Sequence, residues 1–328
     1  MEKISDLLKS AVYISPLTDF GFKKIFSDAE LIADILNAFL PDEHIVDVQY
    51  QPPAHLGDRP QNRVVEFDLY CHTDTGKRII IEMQRLSHDF FIDRALFYTA
   101  FPIREQAPKG KVSMKDKAGN EKKVPWNYEL DPVYFVGILA FELFDEPEAK
   151  DIIIERVELY RTEAQKTCSS KLKMIFVELT KFNKTVEQLE TKRDIWLYLL
   201  KHLPELTEMP EQIKKSDPVF EKLFKRAKKS NLTPKEMETY SEDLLLMDEI
   251  YNIAISYERR GEARGEARGA ERGIAIGEAR GEARGEKRTT IKYALRLAQR
   301  GMSIVEIADI TDLSIEEVKK ILKQAKML

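Results

Sequence analysis

The rhythm of apolar and polar positions along this chain changes several times, and each change marks an element. Phe20, Phe22, Ile25 and Phe26, then Leu31, Ile32, Ile35, Leu36 and Phe39, recur at helical spacing. They predict helix over 19–40, with Asp28 placed to cap a second helix and Pro41 to end it. Residues 45–50 read as a strand, followed by a loop with Pro52, Pro53, Gly57 and Pro60. VVEFDLY at 64–70 and KRIIIEMQ at 77–84 read as two further strands. The turn signal Thr73-Asp74-Thr75-Gly76 joins them as an antiparallel hairpin. Helical spacing returns over 88–103, with Phe91, Ala95 and Tyr98 on one face. The lysine-rich stretch 104–128, with its turn at Ala118-Gly119-Asn120, reads as a surface hairpin or a loop. Residues 133–141 and 173–179 are apolar runs suited to buried strands.

From about residue 186 the pattern is helical. Ile195, Trp196, Leu199, Leu200 and Leu203 share one face. Thr233-Pro234-Lys235-Glu236 has capping-box spacing with proline at the first helical position. Residues 244–255 continue an apolar-periodic helix. Glycine then falls at 261, 265, 269, 273, 277, 281 and 285, half of the 14 glycines in the chain. A four-residue period overshoots the helical turn, so a glycine stripe drifts by roughly 40° per repeat. Glu–Glu and Arg–Arg occupy the i,i+4 positions, so the favourable ion-pair spacing is missing. Two readings stand: a charged, semi-helical arm that self-associates through its small residues, or a flexible linker. In the last segment, Ser303-Ile304-Val305-Glu306 and Ser314-Ile315-Glu316-Glu317 are both capping boxes, predicting two short helices after a helix over 290–300. This unit resembles the helix-turn-helix motifs of bacterial DNA-binding proteins. Glutamates at the start of its second helix argue against base reading and for an oligomerisation or packing module.

The candidate chemistry lies in the hairpin. Strand alternation points Glu82 and Gln84 to the same face, and antiparallel pairing sets Asp68 opposite Glu82. Two buried carboxylates side by side repel each other and are costly to desolvate. A cation between them resolves both problems, and an Asp/Glu oxygen pair with room for water suits Mg²⁺. The alternative for Asp68 is a hairpin-edge carboxylate facing solvent or paired with Arg63 or Arg78. For Arg94 the two readings are a clamp on a substrate phosphate and a surface arginine paired with Asp89 or Asp93.

These residues resemble the PD-(D/E)XK nuclease superfamily, in which an Asp and a Glu-x-Lys on the next strand hold the metal. Gln84 stands at the lysine position. With SPLTDFGFKKIF (15–26), FDLYCHTDTGKRIIIEMQ (67–84), FFIDRALFYTA (90–100) and LDPVYFVGILAFEL (130–143), the chain resembles one branch, the Rpn family of recombination-promoting nucleases and putative transposases. The resemblance implies an α/β restriction-endonuclease-like core, with helix, three strands, helix and strand, followed by a mostly helical region. It implies a nuclease-like domain over 1–183, a helical region over 184–258, the repeat arm over 259–288 and the small terminal unit over 289–328. It further implies Mg²⁺-dependent hydrolysis of DNA phosphodiesters. Asp68, Glu82 and the main-chain carbonyl of Met83 would hold the metal, and Gln84 would hydrogen-bond the attacking water or a phosphate oxygen. Asp19 either completes the site from the first helix or merely caps that helix. Lys23 and Lys24 either touch the DNA backbone or are solvated, and Tyr98 reads as packing. The competing expectation is a nuclease-fold protein without activity, acting as an oligomeric DNA- or protein-binding module.

Composition narrows this picture only slightly. A net charge of −4 over 328 residues does not advertise nucleic-acid binding, although a local field at the site is enough. Cys71 and Cys168 make no ligand pattern and suggest reduced thiols. The five histidines lack zinc-ligand spacing, and no phosphate-binding glycine loop or dinucleotide fingerprint occurs. The charged N-terminus and the lack of a long apolar run lead us to expect a soluble, cytoplasmic chain with no membrane contact.

Overall fold

The structure is a computed structural model that describes residues 8–51, 66–107, 112–115 and 121–327, with 112–115 and 121–124 as backbone alone. The loop prolines 52, 53 and 60, Arg63, the start of the strand expected at 64–70 and the turn at 118–120 lie outside the described residues. The chain forms two compact units, Met1–Glu249 and Ile250–Leu328.

In the first unit, the expected helix over 19–40 is two helices, α1 (Asp19–Phe26) and α2 (Ala29–Phe39). Asp28 caps the second, its carboxylate accepting from the N–H groups of Glu30 and Leu31. The strands follow as β1 (Val48–Tyr50), β2 (Leu69–Thr73) and β3 (Arg78–Gln84), then α3 (Phe91–Glu105). The lysine-rich insertion is an antiparallel hairpin of β4 (Val112–Lys115) and β5 (Glu121–Val124). After it come β6 (Val133–Leu139), β7 (Ile154–Arg161) and β8 (Lys166–Glu178). Six strands make one sheet in the order β1-β2-β3-β6-β8-β7. The strands β3, β6 and β8 run parallel in its centre, and β1–β2, β2–β3 and β7–β8 are antiparallel pairs. This is the α/β architecture expected of a PD-(D/E)XK nuclease-like fold.

The continuous apolar runs explain the central strands. All seven residues of β6 are buried, as a strand covered on both faces requires. One face of the sheet packs Ile79, Ile81, Val136, Ile138, Ile175 and Val177 against α1 and α2. The other packs Ile80, Phe135 and Phe176 against Phe91 and Ala95 of α3. Behind the first face lie α4 (Lys192–His202), α5 (Glu211–Lys214) and α6 (Val219–Ala227). Trp196, Phe220, Tyr240 and Leu244 join the same apolar core, so residues 184–249 share it with the sheet.

Three strands differ from the sequence reading. The strand β8 begins at Lys166, ahead of the apolar run at 173–179. Regular pairing of β2 begins at Leu69, because at Asp68 side-chain bonds to β3 take over from the backbone ladder. The strand β7 had no counterpart in the sequence reading. It is a half-exposed edge whose alternation is broken by register shifts around Leu159.

α7 (Pro234–Gln299) is one helix of 66 residues that carries the whole glycine repeat. A Cβ added at any of its seven repeat glycines would meet nothing within 4 Å. In the second unit, the end of α7, α8 (Ile304–Thr311) and α9 (Ile315–Gln324) close around Ala294, Leu297, Ile307, Val318 and Leu322. Both predicted capping boxes form, Ser303 with Glu306 and Ser314 with Glu317. Asp312 in the turn between α8 and α9 takes a left-handed conformation, φ 53°.

Candidate active site

The hairpin of β2 and β3 brings Asp68 and Glu82 together. Leu69 pairs with Ile81, which sets Asp68 across from Glu82. The Asp68 N–H donates to Glu82 Oε1 at 3.2 Å, and the Met83 N–H donates to Asp68 Oδ2 at 2.7 Å. Each acid therefore holds the other's strand through a backbone N–H. The turn behind them is tight: Gly76 has φ 80°, which favours glycine. Glu82 is 2% exposed although ionisable, near the C-terminal end of a parallel strand. Open α/β sheets carry their ligands at that end.

Arg94 on α3 reaches back to this pair. Its Nη2 lies 3.0 Å from Glu82 Oε2, and its Nη1 donates to Gln84 Oε1 at 3.4 Å. The guanidinium also lies over the Tyr98 ring, 4.9 Å from its centroid. Asp89 and Asp93 are not its partners. Gln84 thus faces the same way as Glu82, and its own amide donates to the Leu86 carbonyl at 3.4 Å. Arg78, the alternative partner for Asp68, is engaged elsewhere, with Glu105 and Asp131.

Electrostatics mark the pair as incompletely compensated. Burial raises the pKa of Glu82, and the Asp68 carboxylate raises it further; Arg94 and Lys23 oppose the shift without cancelling it. Burial likewise raises Asp68 against the opposing pull of the Met83 N–H, Lys23 and Arg94, and Asp19 adds to the rise. Two acids held above their ordinary range, with one arginine between them and α3, form a site whose field favours another cation.

α1 borders the site with Asp19 and Lys23. Thr18 is the N-cap, its hydroxyl accepting from the Gly21 N–H, so Asp19 is not the cap. Gly21 is required there: a Cβ would sit 1.9 Å from the Ser15 carbonyl oxygen. Asp19 is 57% exposed and pairs with Lys23 at 2.8 Å. It acts on Asp68 through charge, and among the described residues no three His, Cys, Asp or Glu side chains converge as a metal-binding group. Burial lowers the pKa of Lys23, but Asp19, Asp68 and Glu66 together hold it above the ordinary lysine value.

The sequence reading missed two neighbours of the site, Asp243 on α7 and Arg85 after β3. Asp243 accepts from the Phe20 N–H at 2.9 Å, and burial raises its pKa. Arg85, directly after Gln84, feels Asp243, Asp248 and Tyr240, and its Nη1 is buried without a hydrogen bond. No local signal at positions 240–248 announces contact with α1 or β3. Lys24 adds an ion pair with Glu236, so the start of α7 holds α1 in place.

The donor set fits a hard divalent cation. Two carboxylate side chains are available in a buried, under-neutralised position, and such a cation binds one or two carboxylates with water and phosphate completing its shell. No helix of the described residues is long and apolar enough to cross a membrane. No curated protein and no solved structure matches the chain. Residues 16–256, which include the sheet, the Asp68–Glu82 hairpin, α3 and the part of α7 that holds α1, match the family model described as PD-(D/E)XK nuclease family transposase, and the chain belongs to that family.

Proposed function

We propose that the chain hydrolyses phosphodiester bonds in DNA as a Mg²⁺-dependent endonuclease, within recombination or transposition. The facing of Asp68 and Glu82, the first half-buried, the second buried and both held above their ordinary pKa, carries this reading. Asp68, Glu82 and the main-chain carbonyl of Met83 would hold the metal. When bound, Mg²⁺ polarises a phosphoryl oxygen and acidifies a coordinated water.

The chain's own groups supply the rest. Asp68 and Glu82, taken up as metal ligands, are not free to accept a proton, so the pair would position the attacking water and solvent would take its proton. Gln84 is neutral and cannot replace a lysine's charge, but its amide can orient that water. The missing charge comes from Arg94, whose guanidinium already lies on Glu82 and Gln84. It would turn to a phosphate oxygen and stabilise the charge developing there. Lys23, on the border of the site, would meet the adjoining DNA backbone.

The test is cleavage of supercoiled and linear DNA with and without Mg²⁺ or Mn²⁺. Asp68→Ala and Glu82→Ala are expected to abolish metal-dependent cleavage while circular dichroism stays unchanged. Cleavage undiminished in both variants would sink the proposal.

A second reading rests on Gln84 and on the Arg94–Glu82 ion pair, in which an arginine already supplies positive charge to the acids. The chain would then be an inactive nuclease-fold protein that binds DNA or protein, assembled through the repeat arm of α7. Calorimetric titration separates the two: a Mn²⁺ signal lost in Asp68→Ala excludes the inactive reading. Truncation before Arg260 tests the arm, because an unchanged oligomeric state by light scattering removes it as an assembly element.

A further inference from the structure

Under the hydrolytic reading, Arg94 must leave Glu82 and meet a phosphate oxygen. Its side chain is 34% exposed, and its two acceptors are Glu82 Oε2 at 3.0 Å and Gln84 Oε1 at 3.4 Å. The shorter bond is given up when Glu82 serves as a metal ligand, and the longer one is weak. A long side chain released in this way regains its rotamer freedom. That matters because a group misplaced by about 1 Å can slow a reaction about a hundred-fold. One contact depends on neither acceptor: the guanidinium lies over the Tyr98 ring, 4.9 Å from its centroid. Arg94 and Tyr98 are one turn apart on α3 and share a side of it. The ring is held in turn by the segment that carries the first acid. It stands edge-on to Phe67 at 5.3 Å, and Phe67, 5% exposed, directly precedes Asp68. Phe67 also meets Phe101, on the same helix, edge-on at 6.2 Å.

We infer that Tyr98 is a positioning residue for Arg94, its ring being the platform on which the guanidinium stays as it passes from Glu82 to a substrate phosphate. The inference rests on the hydrolytic reading for the phosphate; the platform itself stands on the contacts around Tyr98. Three features suit the ring to this task. A ring face takes up none of the guanidinium's N–H donors in conventional hydrogen bonds, so they remain for Glu82, Gln84 or phosphate. Attraction to a ring face is not tied to one donor direction, so the guanidinium can turn without losing it. The ring's own anchor, Phe67, adjoins Asp68, so the guanidinium is kept in step with the acid pair. Packing, the sequence reading of Tyr98, accounts for the Phe67 contact but leaves the ring face beneath Arg94 without a role.

The experiment has two arms, both on the full chain. The first needs neither metal nor turnover. With ¹⁵N-labelled arginine, the ring current of Tyr98 should displace the Arg94 Nε–H proton resonance upfield, the signal being assigned by its absence from Arg94→Lys. Tyr98→Phe should keep the displacement and Tyr98→Leu should remove it. Glu82→Ala, which takes away the shorter bond, should leave it in place. A displacement lost in Glu82→Ala, or unchanged in Tyr98→Leu, overturns the inference. The second arm is DNA cleavage with Mg²⁺. Tyr98→Leu should lower kcat about five- to ten-fold with KM for DNA nearly unchanged, and Tyr98→Phe should recover most of the loss. In an Arg94→Met background Tyr98→Leu should cost nothing further, because the two residues act as one unit. Additive losses, or a change in KM alone, overturn the inference, as a structural role for Tyr98 would give either. The arms also keep the two readings apart. The expected resonance pattern in a chain that does not cleave defeats the hydrolytic reading alone. Cleavage that is indifferent to Tyr98→Leu defeats this inference alone.

Discussion

Two glutamates are buried near the C-terminal ends of parallel strands in the same sheet, Glu82 on β3 and Glu178 on β8, and they live in opposite circumstances. Glu178 is fully buried and fully answered. Its Oε2 accepts from the Leu143 N–H at 2.7 Å, and its Oε1 lies 3.2 Å from Lys181 Nζ. That ammonium is completed by the carbonyls of Phe144 and Ala149. The group is a closed lock on the loop after β6. Glu82 is almost as buried but faces Asp68, and its ion-pair partner, Arg94, is 34% exposed and divided between two acceptors. The difference teaches how to tell structural acid from candidate catalytic acid: burial is common to both, and what separates them is whether the charge has been answered. Unanswered buried charge near a strand's C-terminus is a functional-site signal.

The comparison can be broken most directly by removing Glu178. Glu178→Ala leaves a buried lysine and two backbone N–H groups short of a partner, so unfolding free energy should fall by about 3–5 kcal/mol. Denaturant titration checks this, and a loss of under about 1 kcal/mol would erase the distinction. Glu82→Gln should do the reverse in metal-free buffer, because it removes a carboxylate repelled by Asp68. Stability should hold or rise by about 1 kcal/mol while Mn²⁺-induced stabilisation in a thermal melt disappears.

Acid titration sharpens the same contrast. Glu82, Asp68 and Asp243 have raised folded pKa values, so their penalty is felt at high pH and is relieved as pH falls through those raised values. Asp28, Glu43 and Asp217 behave oppositely. Burial pushes them up, but bonded Lys222, Lys77 and Lys192 hold them below the ordinary range. Their stabilisation is present above the unfolded value near 4 and is lost as pH falls through the lower folded values. The denaturation midpoint should therefore stay level or rise on mild acidification, then collapse below about pH 4. In Asp68→Asn with Glu82→Gln the rise should be reduced and the collapse should remain. The smallest expected effect is Arg94→Met. Glu82 is buried but can take up a proton once the half-exposed guanidinium is gone, so stability should change by less than about 1 kcal/mol, while cleavage should fall by about ten-fold or more.

Much of this site was legible because period-two alternation and a short glycine turn together fix which strand residues meet. Asp68 opposite Glu82, with Gln84 on the same face, follows from VVEFDLY, KRIIIEMQ and the turn between them. Asp28, the two terminal capping boxes and the buried strand before Phe141 were legible for similar local reasons. The Glu178–Lys181 lock was not, since its loop partners Leu143, Phe144 and Ala149 are fixed only by the crossover between β6 and β8. Asp243 lies on a helix far downstream and acts on Arg85 through charge, and no periodicity encodes that approach. The edge strand β7 escaped because charged and exposed positions blur its alternation.

The bond from the Met83 amide to Asp68 has a practical consequence. At that point the carboxylate serves as the last rung of the β2–β3 ladder. Any ligand that draws Asp68 away releases a main-chain proton whose exchange with solvent deuterium can be followed at one residue. Hydrogen exchange at Met83 thus gives a spectroscopic clock for occupancy of the site, readable without turnover and independent of which ligand fills it.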